Sequence, residues 1–154
     1  MNVTDGSSGS GSSSSSNQGI DKSKWRVTEA EYLKGRDKIA PLTEELRRNM
    51  HNLLIAANLI RDLYGKPLVI SSGYRPAAIN QKAGGASKSC HLTCEAVDFS
   101  DPKGELAKWC IQNLDILEQA GLYLESPAHT QGPNGSWVHL QTRAPKSGKR
   151  IFIP

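Results

Sequence analysis

Two short stretches hold the side chains whose types and spacing could do chemistry. The first is Ser89-Cys90-His91-Leu92-Thr93-Cys94-Glu95-Ala96-Val97-Asp98, and the second is Trp137-Val138-His139-Leu140-Gln141. Imidazole nitrogens and carboxylate oxygens are good zinc donors, and a catalytic zinc site uses three protein ligands with a fourth position open. His91, Asp98 and His139 would supply those three. A metal held this way polarises a peptide carbonyl and brings the pKa of water toward about 7. The ordinary alternative is a histidine hydrogen-bonded to a carboxylate. With four histidines in 154 residues, the spacing His-x6-Asp does not choose between the two. Cys90 and Cys94 flank His91, and thiolates also bind zinc strongly; packing as small buried thiols is the other reading.

These residues need elements to aim them. Glu95 to Ser100 reads as a strand, with Ala96 and Asp98 on one face and Val97 and Phe99 on the other. Trp137 to Thr142 reads as a second strand. If the two pair, Asp98 and His139 project from the same face of the sheet. Upstream, Thr28 and Glu31 form a capping box that opens a short helix ending near Gly35. Thr43 is the N-cap of a long helix whose apolar face is Leu46, Met50, Leu53, Leu54, Ala57, Ile60, Leu63 and Tyr64, and Gly65 is its C′ residue. Leu68 to Ser71 is a short strand, and Arg75-Pro76 starts a short helix ended by Gly84-Gly85. Asp101-Pro102 reads as an N-cap with proline at N1, opening a helix to about Ala120. Leu122 to Glu125 and Arg150 to Ile153 complete the strands. The order predicts an α+β fold with a central, mainly antiparallel sheet and helices packed on it.

Composition narrows the class. Residues 1–23 are Gly/Ser-rich, with Val3 and Ile20 as the large apolar residues, and read as a flexible tail or linker; residues 24–154 form one domain. The net charge is +4 and the pI near 9.0, which favours approach to anionic surfaces. No Lys/Arg block is interleaved with aromatics, so nucleic acid is not the expected partner. No run of about 18 apolar residues is present, so no membrane span is expected. The N-terminus lacks the apolar region of a secretory signal. The three cysteines read as free thiols, and the expected state is a monomer.

The string Ser72-Gly73-Tyr74-Arg75-Pro76, Asn80, Gly84-Gly85-Ala86-Ser87-Lys88-Ser89-Cys90-His91 and Ala96-Val97-Asp98 resembles the zinc D-Ala-D-Ala carboxypeptidase and L-alanyl-D-glutamate endopeptidase family. That family includes bacterial cell-wall enzymes and phage endolysins, and it shares its fold with the Hedgehog signalling domain. The resemblance runs from about Trp25 to the C-terminus. It implies a Hedgehog/DD-peptidase-like fold and Zn2+ held by His91, Asp98 and His139. It also implies an Arg75 that orients a substrate carboxylate or steadies an oxyanion. Ser89 matches the family's serine before the first ligand, bracing the loop or touching substrate, and Trp137 is a candidate substrate wall. The implied substrate is a peptidoglycan stem peptide. With no export signal in view, the expected setting is a host cytoplasm or phage virion, acting on the cell wall.

Two departures from the family pattern stand out. Cys94 occupies the position where the family usually has glycine, three residues after the first histidine. The positions three and two before the last histidine, where relatives carry an acid or a histidine, are Ser136 and Trp137, and neither is a base. Catalysis needs a base within reach of the attacking water. Glu125, closing the strand from Leu122, is the first candidate and His129 the second. The missing acid also motivates a different reading, a non-catalytic zinc-containing binding or virion structural module on the same fold.

Overall fold

The computed structural model describes residues 25–154, and the tail assigned to residues 1–23 lies outside the described residues. Three helices and a short 3-10 turn precede or interrupt the first strands. Helix α1 is Glu29–Leu33 and carries the expected capping box, in which the Thr28 side chain accepts from the Glu31 amide and Glu31 reaches back to Thr28. Helix α2 is Glu44–Tyr64, capped by Thr43 and ended by Gly65 at φ +78°, a left-handed conformation that costs glycine little. Its buried face is Met50, Leu53, Leu54, Ala56, Ala57 and Ile60; Leu63, expected there, is half exposed. Helix α3 is Ala77–Lys82, and strand β1, Ile70–Ser72, begins two residues later than Leu68.

The sheet carries the site. Strand β2 is Ala96–Ser100, β3 is Tyr123–Glu125, β4 is Gln131–Gly132, β5 is Gly135–Gln141 and β6 is Ile151–Phe152. The order is β1-β2-β5-β3-β6, with β4 pairing β5 as a hairpin. Every pair is antiparallel except β3 with β6, which is parallel. The mainly antiparallel α+β architecture follows the sequence reading. Val97, Phe99, Leu124, Val138 and Leu140 point into one core shared with α2 and the later helices. Full burial of a side chain such as Phe99 or Leu140 stabilises by about 1.5–3 kcal/mol. The residues between them, Asp98, His139 and Gln141, are buried on the opposite face.

The segment after β2 departs from expectation in two ways. Asp101 is not the residue adjoining the helix. Helix α4 is Glu105–Gln112 with Gly104 as its N-cap at φ +71°. Asp101 instead reaches across the intervening turn, accepting from the amides of Leu106 (3.0 Å) and Ala107 (2.9 Å). It thus satisfies two donors that a helix start leaves open. The single helix expected to run to Ala120 is broken at Asn113, after which α5, Leu114–Ala120, takes over. The Asn113 side chain donates to the Trp109 carbonyl at 2.8 Å, the local bond by which asparagine competes with a helix. Trp25 and Trp109 are half-buried. Trp109 packs against the core edge beside Tyr64. No helix of the described residues is long and apolar enough to cross a membrane.

Candidate metal centre

The register of β2 on β5 places Asp98 opposite His139. His91 comes from the turn that leads into β2, and its ring meets the His139 ring edge-on with centroids 5.3 Å apart. Asp98 Oδ1 is 2.8 Å from His139 Nδ1 and 3.3 Å from His91 Nε2. Donor atoms of the three residues lie within 4.8 Å of one another. Tetrahedral zinc with ligands at about 2.0–2.1 Å separates its donors by roughly 3.3 Å, so the donor set and its spacing fit this metal. Neither Cys90 nor Cys94 belongs to the cluster; all three cysteines are free and buried.

Each imidazole is oriented from behind by a hydrogen bond. His91 Nδ1 lies 2.9 Å from the Gly73 carbonyl. A carbonyl only accepts, so Nδ1 carries the hydrogen and Nε2 faces Asp98. His139 Nε2 lies 2.8 Å from Gln141 Oε1, and its Nδ1 faces Asp98. Partners of this kind fix tautomer and ring orientation in metal sites.

Electrostatics of the cluster follow from burial against pairing. Burial works against the Asp98 carboxylate, but hydrogen bonds from His139 and His91 and the charge of both rings outweigh it and hold its carboxyl well below the usual range. Burial likewise opposes the charged form of His139, yet the bond to Asp98 outweighs it and raises its pKa. A divalent ion binds an ionised carboxylate and neutral imidazoles, so it would displace the protons that Asp98 now draws onto the rings.

Arg75 is found on Asp98 as well. Its guanidinium donates to Ser72 Oγ at 2.9 Å, to Asn80 Oδ1 at 3.4 Å and to Asp98 Oδ2 at 3.4 Å. These hydrogen bonds of Arg75 run to the protein and leave Oδ1 of Asp98 to the histidines. Ser89 Oγ accepts from the His91 amide at 3.2 Å, which is the bracing role of the two considered. Trp137 pairs with Ser100 two residues along from the Asp98–His139 pair. It borders a groove of about 280 Å³ with Ser71, Ser100, Pro133 and Asn134.

Of the two candidate bases, the structure brings Glu125 to the cluster. Tyr123 pairs with Gln141 and Leu124 with Leu140, so the same register sets Glu125 beside His139, on the site face. Glu125 is half-buried. Burial raises its pKa, the charges of His139, His129 and His91 pull it back, and Asp98 adds to the rise. His129 is exposed, on the 3-10 turn Pro127–His129 that follows β3.

A family profile described as peptidase M15 matches residues 14–129. The chain belongs to the peptidase M15 family. That match ends before His139, so the third candidate ligand of this M15 chain rests on the β2–β5 register. No curated protein matches the chain. Among solved structures, the L-Ala D-Glu endopeptidase ChiX of Serratia marcescens aligns at 18% identity with a TM-score of 0.45, covering 70% of this chain and 93% of that one.

Two residues without a role in the sequence reading complete the site. Gln141 is buried behind His139, and its amide donates to the Arg143 carbonyl at 2.8 Å. The Arg143 side chain reaches back to the turn that bears His91, donating to Thr93 Oγ1 at 2.8 Å, to the Lys88 carbonyl at 3.3 Å and to Glu95 Oε1. Strand alternation from His139 points to Gln141, since residues two apart share a face. Nothing in the sequence pattern points to Arg143.

Proposed function

We propose that this M15 chain is a zinc metallopeptidase that hydrolyses a peptide bond in peptidoglycan stem peptides, of the D,D-carboxypeptidase or L-Ala-D-Glu endopeptidase type. The observation that carries the reading is the meeting of His91, Asp98 and His139 with Glu125 on one face of the sheet. Zinc on the three ligands would supply Lewis acidity toward a peptide carbonyl and toward water. Glu125 is the proton carrier. It is ionisable, half-buried and close enough to feel the charge of all three ligand residues, so it can accept a proton from an attacking water and return it to the leaving amine. Arg75 pairs with Oδ2 of Asp98 and helps orient it, and its cation at the site edge favours negative charge developing on the carbonyl oxygen. The groove beside Trp137 offers an aromatic wall and serine hydroxyls to the peptide next to the scissile bond. Glu125 on the site face supports the catalytic reading over the non-catalytic module that the lack of an acid before His139 suggests.

The test is incubation of the purified chain with defined muropeptides, with and without chelator, followed by mass spectrometry. Cleavage of a stem peptide that stops on chelation and returns with zinc is the expected result. No metal-dependent cleavage of any stem peptide would overturn the reading and favour the binding module.

A further inference from the structure

The hydrogen-bond chain behind the two histidines has a direction that can be assigned. The Arg143 carbonyl accepts only, so the Gln141 amide must turn its NH2 toward it, at 2.8 Å. Its Oε1 is thereby left facing His139 Nε2 at 2.8 Å. An amide oxygen also accepts only, so Nε2 of His139 carries the hydrogen and Nδ1 is the atom presented to Asp98. The ambiguity that attends amide and imidazole orientation is removed here by one backbone carbonyl. The same residue, Arg143, then uses its guanidinium to fasten Lys88, Thr93 and Glu95. Thr93 Oγ1 adds a 2.6 Å bond to Glu95, and Asn49 of α2 donates to the Thr93 carbonyl at 3.0 Å. The turn holding His91 is therefore tied to the end of the strand that holds His139.

We propose that Gln141 and Arg143 are positioning residues that act as one strap: Gln141 selects Nδ1 of His139 as the metal-facing atom, and Arg143 fixes the His91 turn at the matching distance. Neither residue touches the ligand atoms of the cluster. Their effect is to have both imidazoles correctly turned before a metal arrives. Outer-shell partners of this kind typically change metal affinity about 10–100-fold. The inference rests on the zinc reading above, and its experiment separates the two.

The full chain is stripped of metal and titrated with zinc against a chromophoric chelator, alongside Gln141→Leu, Gln141→Glu and Arg143→Ala. Two-bond 1H–15N correlation spectra of the zinc-loaded unchanged chain report which imidazole nitrogen carries hydrogen. The expected spectrum has His139 protonated at Nε2 and His91 at Nδ1. Gln141→Leu is expected to weaken zinc about 10–100-fold. Gln141→Glu keeps an acceptor for Nε2–H and recovers most of that loss, a rescue that filling space would not give. Arg143→Ala weakens zinc about tenfold or more while His139 keeps its tautomer. Thermal midpoints of the metal-free variants identify any that fail to fold; for those, the spectrum of the unchanged chain decides. Zinc on Nε2 of His139, equal zinc affinity in folded Gln141→Leu, or no recovery in Gln141→Glu each overturns the strap. If the unchanged chain takes up no zinc, the metal reading falls and the strap with it.

Discussion

Asp98 and His139 are direct cross-strand partners, and the same Asp98 carboxylate is shared by His91 on one oxygen and by Arg75 on the other. One buried carboxylate thus pairs with three side chains drawn from three separate parts of the chain. This makes Asp98 the residue whose loss affects both metal and fold.

Replacing Asp98 with alanine is expected to abolish stoichiometric zinc by elemental analysis. It also leaves Arg75 and His139 without the carboxylate they share, and removing one partner of a buried pair costs about 3–5 kcal/mol. A urea midpoint lowered to match, measured on metal-free protein, is the second expected outcome. Full retention of zinc in Asp98→Ala would reject the ligand set.

Glu125→Gln separates chemistry from metal binding. The variant is expected to keep one zinc and to lose about two to four orders of magnitude in turnover, as for removal of a general base. Its stability should move the other way. Burial raises the Glu125 pKa in the metal-free fold, so the folded chain binds this proton more tightly than the unfolded chain. The stabilisation is complete below the unfolded value, about 4.3, and is lost as pH rises through the folded one. Glutamine carries no such dependence. The thermal midpoint of metal-free Glu125→Gln should therefore gain on that of the unchanged chain between pH 4 and pH 7. Normal turnover in the variant would move the base elsewhere, with His129 next.

Legibility of the fold differed by the kind of signal. The ends of α2 were marked by Thr43 and Gly65, because caps are local chemistry. Val97, Phe99, Val138 and Leu140 alternate strictly, and that alternation set the faces on which Asp98 and His139 would appear. The break at Asn113 was hidden, since Leu114, Leu117 and Ala120 continue a helical pattern across it. The start of α4 was misplaced because Asp101 caps over a three-residue turn rather than at the adjoining position. Arg75 on Asp98, and Arg143 on the His91 turn, were not legible either. A long side chain can reach several partners, and which one it takes depends on packing that no spacing records.

Gly73 and Gly85 are required for closeness rather than for backbone angle. A Cβ on Gly73 would lie 2.1 Å from the Tyr32 carbonyl oxygen, and one on Gly85 would lie 2.0 Å from Asn80 Oδ1 and 3.0 Å from an Arg75 guanidinium nitrogen. Gly73→Ala must push α1 off the sheet edge, and overpacking of this kind costs about 1–3 kcal/mol. It also shifts the carbonyl that orients His91. Gly85→Ala displaces Asn80 and with it one of the three bonds that hold Arg75. Urea denaturation of both, with zinc titration of the metal-free proteins, is the check: lower midpoints and weaker zinc are expected in each, and an unchanged midpoint for Gly73→Ala would contradict the contact with Tyr32.

Cys94 poses the sharpest question of sequence against structure. It stands where the family usually has glycine, and its φ is +59°, a region that L-residues other than Gly, Asn and Asp seldom enter. Its side chain is fully buried. Burial pushes the thiol up to about 12, against a lowering hydrogen bond with Tyr32 and a rise from Glu95, so it is a neutral, packed group near pH 7. Two terms then oppose each other on substitution. Cys94→Gly relieves about 1–2 kcal/mol of backbone cost and loses about 1 kcal/mol of burial, for a net change within about 1 kcal/mol. Cys94→Val keeps the volume but places a β-branched residue at positive φ, with strain of about 1–3 kcal/mol. The expected order of urea midpoints is therefore glycine close to cysteine, with valine clearly lower. Both variants should still bind one zinc, because the thiol lies outside the ligand cluster. Valine as stable as cysteine would mean that the turn does not need its left-handed residue. Loss of zinc from the folded glycine variant would return Cys94 to the ligand set and displace one of the two histidines.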